Sequence, residues 1–185
     1  NDNIILILLE GVRSSELGLY GSKHSATPKL DEKSKLFSVF KNNYSTAALT
    51  AKSEYAISCS TLDHFSGSPI SSRESKIKRK CIPKILLENG YDTYWIHGNE
   101  KEFYKREDFL TQLGINNLID KATLANQGYN KELGWGLPDE DLFDYTIKKL
   151  SELPNKFYAE VLTVSNHSPF NFEWGIDIPE NISYS

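Results

Sequence analysis

Methionine is absent from the 185 residues, and cysteine occurs only twice. Two cysteines build neither a disulfide-dense scaffold nor a cysteine-rich zinc finger. No apolar run approaches the roughly 20 residues needed to cross a bilayer. Basic residues do not dominate: 21 Lys and Arg stand against 25 Asp and Glu, a net charge of −4. That balance lacks the electrostatic footprint of a nucleic-acid partner. A Walker loop, a G-x-G-x-x-G fingerprint and a G-x-S-x-G elbow are all missing, which removes the motif-based readings as nucleotide binder or serine hydrolase. The opening run Ile4–Leu9 has no basic flank and no cleavage pattern, so it reads as a strand rather than a signal peptide.

What remains is an ordinary globular composition, 39% hydrophobic and 25% charged, long enough for one domain with its own core. Asn3–Glu10 is a continuous Ile/Leu run and reads as a central strand covered on both faces. Pro28 opens a short helix over Lys29–Ser34. Leu36–Tyr44 alternates apolar and polar residues and reads as a second strand. A helix follows over Ala51–Ser58. Thr61–Arg79 is rich in Ser, Gly and Lys and reads as a surface loop, its basic run Lys76–Lys80 as a solvated face. Cys81–Asn89 is an amphipathic helix capped by Gly90, Asp92–His97 a strand, and Phe103–Leu113 a helix closed by Gly114. Asp120–Gly134 is polar and irregular. Asp139–Leu153 is a helix with acids first and Lys148, Lys149 last. Phe157–Ser165 is a strand leading to Asn166-His167. Alternating strands and helices predict a largely parallel α/β sheet. The abrupt start and the polar end Pro179–Ser185 suggest a piece of a longer chain.

Three strands thus finish on polar groups, Glu10, His97 and His167, at the sheet edge where ligands of open α/β sheets bind. Thr50 stands at a helix mouth. There it either caps the helix or uses the positive helix end to ease an alkoxide. The two cysteines leave a choice between free buried thiols and one disulfide, which would stabilise by roughly 3 kcal/mol and place the domain outside the cytosol.

The order of several segments is familiar. Asn3-Ile-Ile-Leu-Ile-Leu-Leu-Glu10, Leu17-Gly-Leu-Tyr-Gly21 and Thr27-Pro28-Lys-Leu30 resemble the opening of the alkaline-phosphatase/sulfatase superfamily. Leu49-Thr50-Ala-Lys-Ser-Glu54-Tyr resembles the nucleophile segment of lipoteichoic-acid synthases. Gly90-Tyr91 with His97-Gly-Asn-Glu-Lys-Glu-Phe-Tyr-Lys-Arg106 resembles their substrate pocket. Gly134-Trp-Gly-Leu137, Asp141-Leu-Phe143 and Ser165-Asn-His167-Ser-Pro-Phe170 complete the set. Cys59 with Cys81 resembles the cysteine pair of periplasmic glucan phosphoglycerol transferases, which implies a disulfide.

The resemblance implies an alkaline-phosphatase-like sandwich around a largely parallel sheet, residues 1–185 forming the N-terminal portion of an extracytoplasmic catalytic domain. It implies Thr50 as nucleophile, and Glu10 and Thr50 as ligands of one divalent metal, Mn²⁺ with Mg²⁺ or Zn²⁺ as alternatives. His97, Tyr104, Arg106 and His167 would hold a glycerol-phosphate headgroup, Tyr104 standing where the synthases carry Trp. The activity implied is transfer of glycerol phosphate from phosphatidylglycerol to a glycan or polymer through a phospho-threonine. The full-length protein would then be membrane-anchored, acting at the periplasmic face of the inner membrane. The remaining metal ligands, an adjacent Asp and His, are missing from the matching region. Asp63-His64 is the one such pair, in a loop, and Asp177 comes late. The competing readings are a phosphoethanolamine transferase, a sulfatase-like hydrolase and a non-catalytic extracellular binding domain. A formylglycine sulfatase needs C-x-P-x-R, whereas Cys81-Ile-Pro83-Lys-Ile85 carries Ile where Arg is required.

Overall fold

Four parallel strands organise the chain: β1 (Ile4–Leu8), β2 (Asp92–His97), β3 (Asn117–Ile119) and β4 (Phe157–Leu162), in the order β1-β4-β2-β3. The computed structural model describes residues 2–23, 26–63, 66–67 and 77–168. His64, Lys76, Pro169, Phe170, Asp177 and the stretch Pro179–Ser185 lie outside the described residues. The helices are α1 (Pro28–Lys33), α2 (Thr50–Cys59), α3 (Ile82–Glu88), α4 (Arg106–Leu113), α5 (Lys121–Ala125) and α6 (Asp139–Ser151).

Successive side chains of a strand point to opposite faces, so each strand feeds two cores. Trp95, Tyr158 and Leu162 face Tyr55 of α2 and Phe109, Leu110 and Leu113 of α4. Tyr94, Ile96, Ala159 and Val161 face Leu124 of α5 and Leu142 and Leu150 of α6. The result is a three-layer α/β/α arrangement with its core on both sides of β2 and β4. Each fully buried Leu, Ile or Phe there contributes about 1.5–3 kcal/mol. The turn after α4 needs Gly114 at φ +99°, because a Cβ there would collide with the Lys84 backbone. Cys59 at the end of α2 and Cys81 just before α3 are joined by a disulfide (S–S 2.08 Å).

Four expectations change. Leu36–Tyr44 is not a strand: a 3₁₀ turn at Ser34–Leu36 gives way to bends, and Leu36, Phe40 and Tyr44 are exposed. Alternation makes a strand only where a neighbour completes the ladder, and no neighbour is present here among the described residues. β1 is an edge strand that pairs only with β4 among the described residues, and Ile5 and Ile7 are exposed. The stretch Asp120–Gly134 contains α5, whose N-cap Asp120 accepts a hydrogen bond from the Thr123 amide (3.0 Å). β3, three residues long, was not anticipated.

Candidate active site

The sheet register brings the polar strand ends together. Leu8 pairs with Leu162, and Leu162 pairs with His97, so β1, β4 and β2 stop at one level. Just beyond β1, the Glu10 amide donates to Thr163 Oγ1 (2.8 Å), fixing the start of the following loop against the end of β4. Thr50 Oγ1 then donates to Glu10 Oε2 (2.8 Å). The Thr50 hydroxyl therefore does not cap the helix. Leu49 holds the N-cap position and Thr50 is the first helical residue, its hydroxyl turned to a carboxylate rather than to the helix backbone.

A cavity of about 120 Å³ opens beside this pair, and its wall includes Glu10, Thr50, His97, Tyr104, Arg106 and His167. All six candidates thus line one space. Asn99, Phe103 and Trp135 line it too, and the sequence reading gave them no role there. Trp135 lies between two glycines of a quoted motif. Its ring stacks on His167 at 3.8 Å, and Phe103 meets it edge-on at 5.4 Å. Beside it the backbones at Gly136 and Gly98 come close: any Cβ on Gly136 would strike the Gly98 carbonyl, which accepts from the Leu137 amide (2.9 Å).

Two consecutive non-glycine residues, Tyr104 (φ 58°) and Lys105 (φ 54°), take left-handed backbone immediately before α4. Such conformations cost of order 1–3 kcal/mol each and persist where the surroundings enforce them. Here they deliver Arg106 into the interior as the first residue of α4. Its Nε (3.1 Å) and Nη2 (3.0 Å) donate to Glu54 Oε2, and its guanidinium lies 5.6 Å from the Trp95 ring centroid.

His97 Nδ1 lies 2.8 Å from the Leu162 carbonyl. A carbonyl only accepts, so Nδ1 carries the proton and Nε2 keeps its lone pair. Burial, with Arg106 adding to it, pushes the His97 imidazole down to about 3, and the ring is neutral near pH 7. Deeper, Glu160 of β4 is fully buried, and burial followed by the nearby Glu54 raises its carboxyl to about 8. Tyr158 and Ser58 hydroxyls donate to its Oε2, while Oε1 has no hydrogen-bond partner among the described residues. Asp139 at the start of α6 accepts from the Val164 (2.7 Å) and Ser165 (3.2 Å) amides, and Ser165 Oγ accepts from the Asp139 amide (2.8 Å). This exchange holds the turn that carries His167.

The Glu10 and Thr50 oxygens, side by side, are hard donors that suit a divalent cation such as Mg²⁺ or Mn²⁺. They fit as two members of a ligand set. No group of three or more His, Cys, Asp or Glu residues among the described residues completes it. Cys81 is engaged in the disulfide, so it offers no thiol for conversion to formylglycine.

This parallel α/β frame, with a hydroxyl on a carboxylate at the strand ends, defines a class. The sulfatase family model matches residues 2–175, and the chain belongs to that family. Among its relatives, the lipoteichoic acid synthase-like YvgJ of Bacillus subtilis (strain 168) is 26% identical over 173 residues, 92% of this chain and 28% of that protein. The crystal structure of the lipoteichoic acid synthase LtaP from Listeria monocytogenes superimposes with a TM-score of 0.82 at 26% identity, over 97% of this chain and 45% of that one. The C-terminal periplasmic domain of EcEptC from Escherichia coli, in complex with Zn, has a TM-score of 0.65 at 15% identity and shares the fold. The fold is that of the alkaline phosphatase superfamily. The chain spans little more than a quarter of the curated relative's length.

Proposed function

We propose that this chain carries the nucleophile and headgroup half of a phosphoglycerol transferase, which takes glycerol phosphate from a phosphatidylglycerol-type lipid and passes it to a glycan or polymer. The observation that carries the reading is the Thr50 hydroxyl on Glu10 Oε2 at the mouth of a cavity that also holds Arg106. Similarity to lipoteichoic acid synthases supports glycerol phosphate as the group moved. The disulfide supports an extracytoplasmic domain, and in this reading the full-length protein is membrane-anchored at the periplasmic face.

In this reading Glu10 orients the Thr50 hydroxyl and accepts its proton at Oε2. The positive end of α2 lowers the cost of negative charge on Thr50 Oγ1. That oxygen attacks phosphorus, the bond from phosphorus to the diacylglycerol oxygen breaks, the glycerophosphoryl group stays on Thr50, and diacylglycerol leaves as the alcohol with a proton from water. Arg106 offers a planar fork to the phosphoryl oxygens. Neutral His97 is unsuited to pairing with phosphate as a cation. Its Nε2 accepts instead, which matches a glycerol hydroxyl. His167, stiffened by Trp135, supplies a ring face and a nitrogen at the rim. A divalent ion held by Glu10 and Thr50, Mn²⁺ by family resemblance, would make the alkoxide accessible at neutral pH.

The test is intact mass of the full-length protein after incubation with phosphatidylglycerol and Mn²⁺. A glycerophosphoryl adduct on Thr50 is expected. A phosphoethanolamine adduct formed from phosphatidylethanolamine, with none from phosphatidylglycerol, would move the assignment to the neighbouring transferase class. Absence of any adduct or turnover would leave a binding domain.

A further inference from the structure

Glu54 is fully buried, yet nothing in the proposed chemistry uses it. Its two oxygens have separate duties. Oε1 accepts from the Trp95 indole Nε1 (3.2 Å), and Oε2 takes Arg106 Nε (3.1 Å) and Nη2 (3.0 Å). The indole that anchors Glu54 also lies beneath the guanidinium, 5.6 Å from ring centroid to Cζ. Arg106 is therefore fixed along one edge by a carboxylate and over one face by a ring, and it is one of the residues that line the cavity. Glu54 also lies four residues after Thr50 on α2, and an i, i+4 pair shares one helix face.

We infer that Glu54 is a positioning residue that aims the Arg106 guanidinium into the cavity, so that one helix sets the separation between the Thr50 hydroxyl and the anion-holding fork. This rests on the reading that Arg106 meets a phosphoryl group. A buried pair of this kind also has a purely structural explanation, charge compensation in a low dielectric. The two accounts differ in what the pair does to ligand. If Glu54 acts through Arg106, removing it costs nothing once Arg106 is gone. If it only supports the fold, its effect does not depend on which fork stands at position 106.

The experiment uses the full-length protein and two readouts: turnover on phosphatidylglycerol vesicles, and calorimetric affinity for glycerol phosphate. Wild type is measured first. If it neither transfers nor binds, the proposed function fails and this inference falls with it. Given an active wild type, Glu54→Gln should weaken glycerol phosphate binding about tenfold or more, the scale of one charge-assisted hydrogen bond. Glu54→Asp keeps the charge but withdraws it by one methylene, and should weaken binding measurably, though by less than Glu54→Gln. The double variant Glu54→Gln/Arg106→Gln removes both charges of this pair together and should match Arg106→Gln alone. Wild-type affinity and KM in Glu54→Gln would overturn the inference with the transferase reading intact, as would effects that multiply in the double variant. Should Glu54→Gln fail to fold, Glu54→Asp decides: a raised KM for the vesicle substrate at an unchanged melting temperature supports positioning, and an unchanged KM refutes it.

Discussion

The two sides of the cavity are built differently. The side that holds Arg106 and His97 belongs to β2, β4 and α4, where Trp95, Ile96, Leu110 and Val161 are 0% exposed. Its polar groups are tied to one another and to the sheet: Arg106 to Glu54, Glu54 to Trp95, His97 to the Leu162 carbonyl. The side that presents Glu10 and Thr50 follows an edge strand with exposed isoleucines and a segment whose Leu36, Phe40 and Tyr44 face solvent. There, one side-chain hydrogen bond joins the two candidate catalytic groups. Groups that recognise an anion must be rigid in a low dielectric, where a fixed charge is strongest. The reacting hydroxyl needs only to be delivered to the rim. In the proposed reading, the buried Arg106 and His97 would meet the headgroup from the deep wall, and the half-buried Glu10 and Thr50 would act from the rim.

The sharpest way to break that contrast is at its open side. Thr50→Ala removes the hydroxyl while leaving α2 its packing through Tyr55 and Cys59. Turnover of the full-length protein should fall by at least about a thousandfold, as for other lost nucleophiles. Melting temperature should hardly move. A variant that keeps most of its activity would remove Thr50 from the mechanism. Thr50→Ser keeps the hydroxyl and should retain part of the rate.

The deep side is stapled as well as packed. The Cys59–Cys81 disulfide connects the last residue of α2 to the residue before α3 across a separation of 22. Closing such a loop stabilises by about 3 kcal/mol in the chain-entropy account. Reduction should lower stability by that order, read by denaturant titration with and without reductant. Ellman titration of the unfolded, unreduced protein should find no thiol. Two thiols would cancel both the bridge and the argument from it for an oxidising compartment.

Much of this arrangement was legible in the sequence, and the exceptions share a cause. The register of Asp92–His97 as a strand and the gathering of Glu10, His97 and His167 at one edge follow from apolar runs that end on polar residues. Leu36–Tyr44 misled because alternation records what a strand permits, not whether a partner is present. β3 is too short to show a period. Glu54, Glu160 and Trp135 were missed as parts of the site because their partners lie far along the chain: Trp95 is 41 residues from Glu54, and Arg106 is 52. A buried carboxylate in the middle of an apolar strand, as Glu160 is in Phe157–Leu162, was the one local signal available. It marks a charge that must be paired or neutralised.

That carboxylate gives the deep side its own pH signature. Glu160 rises from its ordinary 4.5 to about 8 in the folded protein. Between those values the unfolded chain has lost a proton that the native state keeps, so stability falls as pH rises and levels off above about 8. His97 works in the other direction. Its folded value of about 3 lies below the ordinary 6.5, so stability is lost as pH falls through that interval. Between pH 6.5 and 8 Glu160 acts without His97. One full proton over that window corresponds to about 2 kcal/mol. Glu160→Gln should flatten the decline, measured as denaturant midpoints at pH 6.5 and 8. A decline of equal slope in the variant would assign it to other groups and return Glu160 to the ionised state.

The smallest expected effect tests the open side again. Glu10 and Thr50 present two oxygen donors, and among the described residues no cluster of three or more metal-binding side chains surrounds them. A divalent cation takes six or more oxygens if it is Mg²⁺ or Ca²⁺, and four nitrogen, sulfur or oxygen ligands if it is Zn²⁺. Two protein ligands leave most of that shell to water, so dehydration gains little and the site barely discriminates. Mn²⁺ titrated into this 185-residue chain should therefore bind weakly, with heats near those of dilution, and Glu10→Gln should remove what remains. Asp63-His64, the adjacent acid-imidazole pair in the sequence, provides the control. Tight stoichiometric binding abolished by Asp63→Ala and His64→Ala but untouched by Glu10→Gln would locate the metal elsewhere. The hydroxyl-carboxylate pair at the rim would then have to act without it.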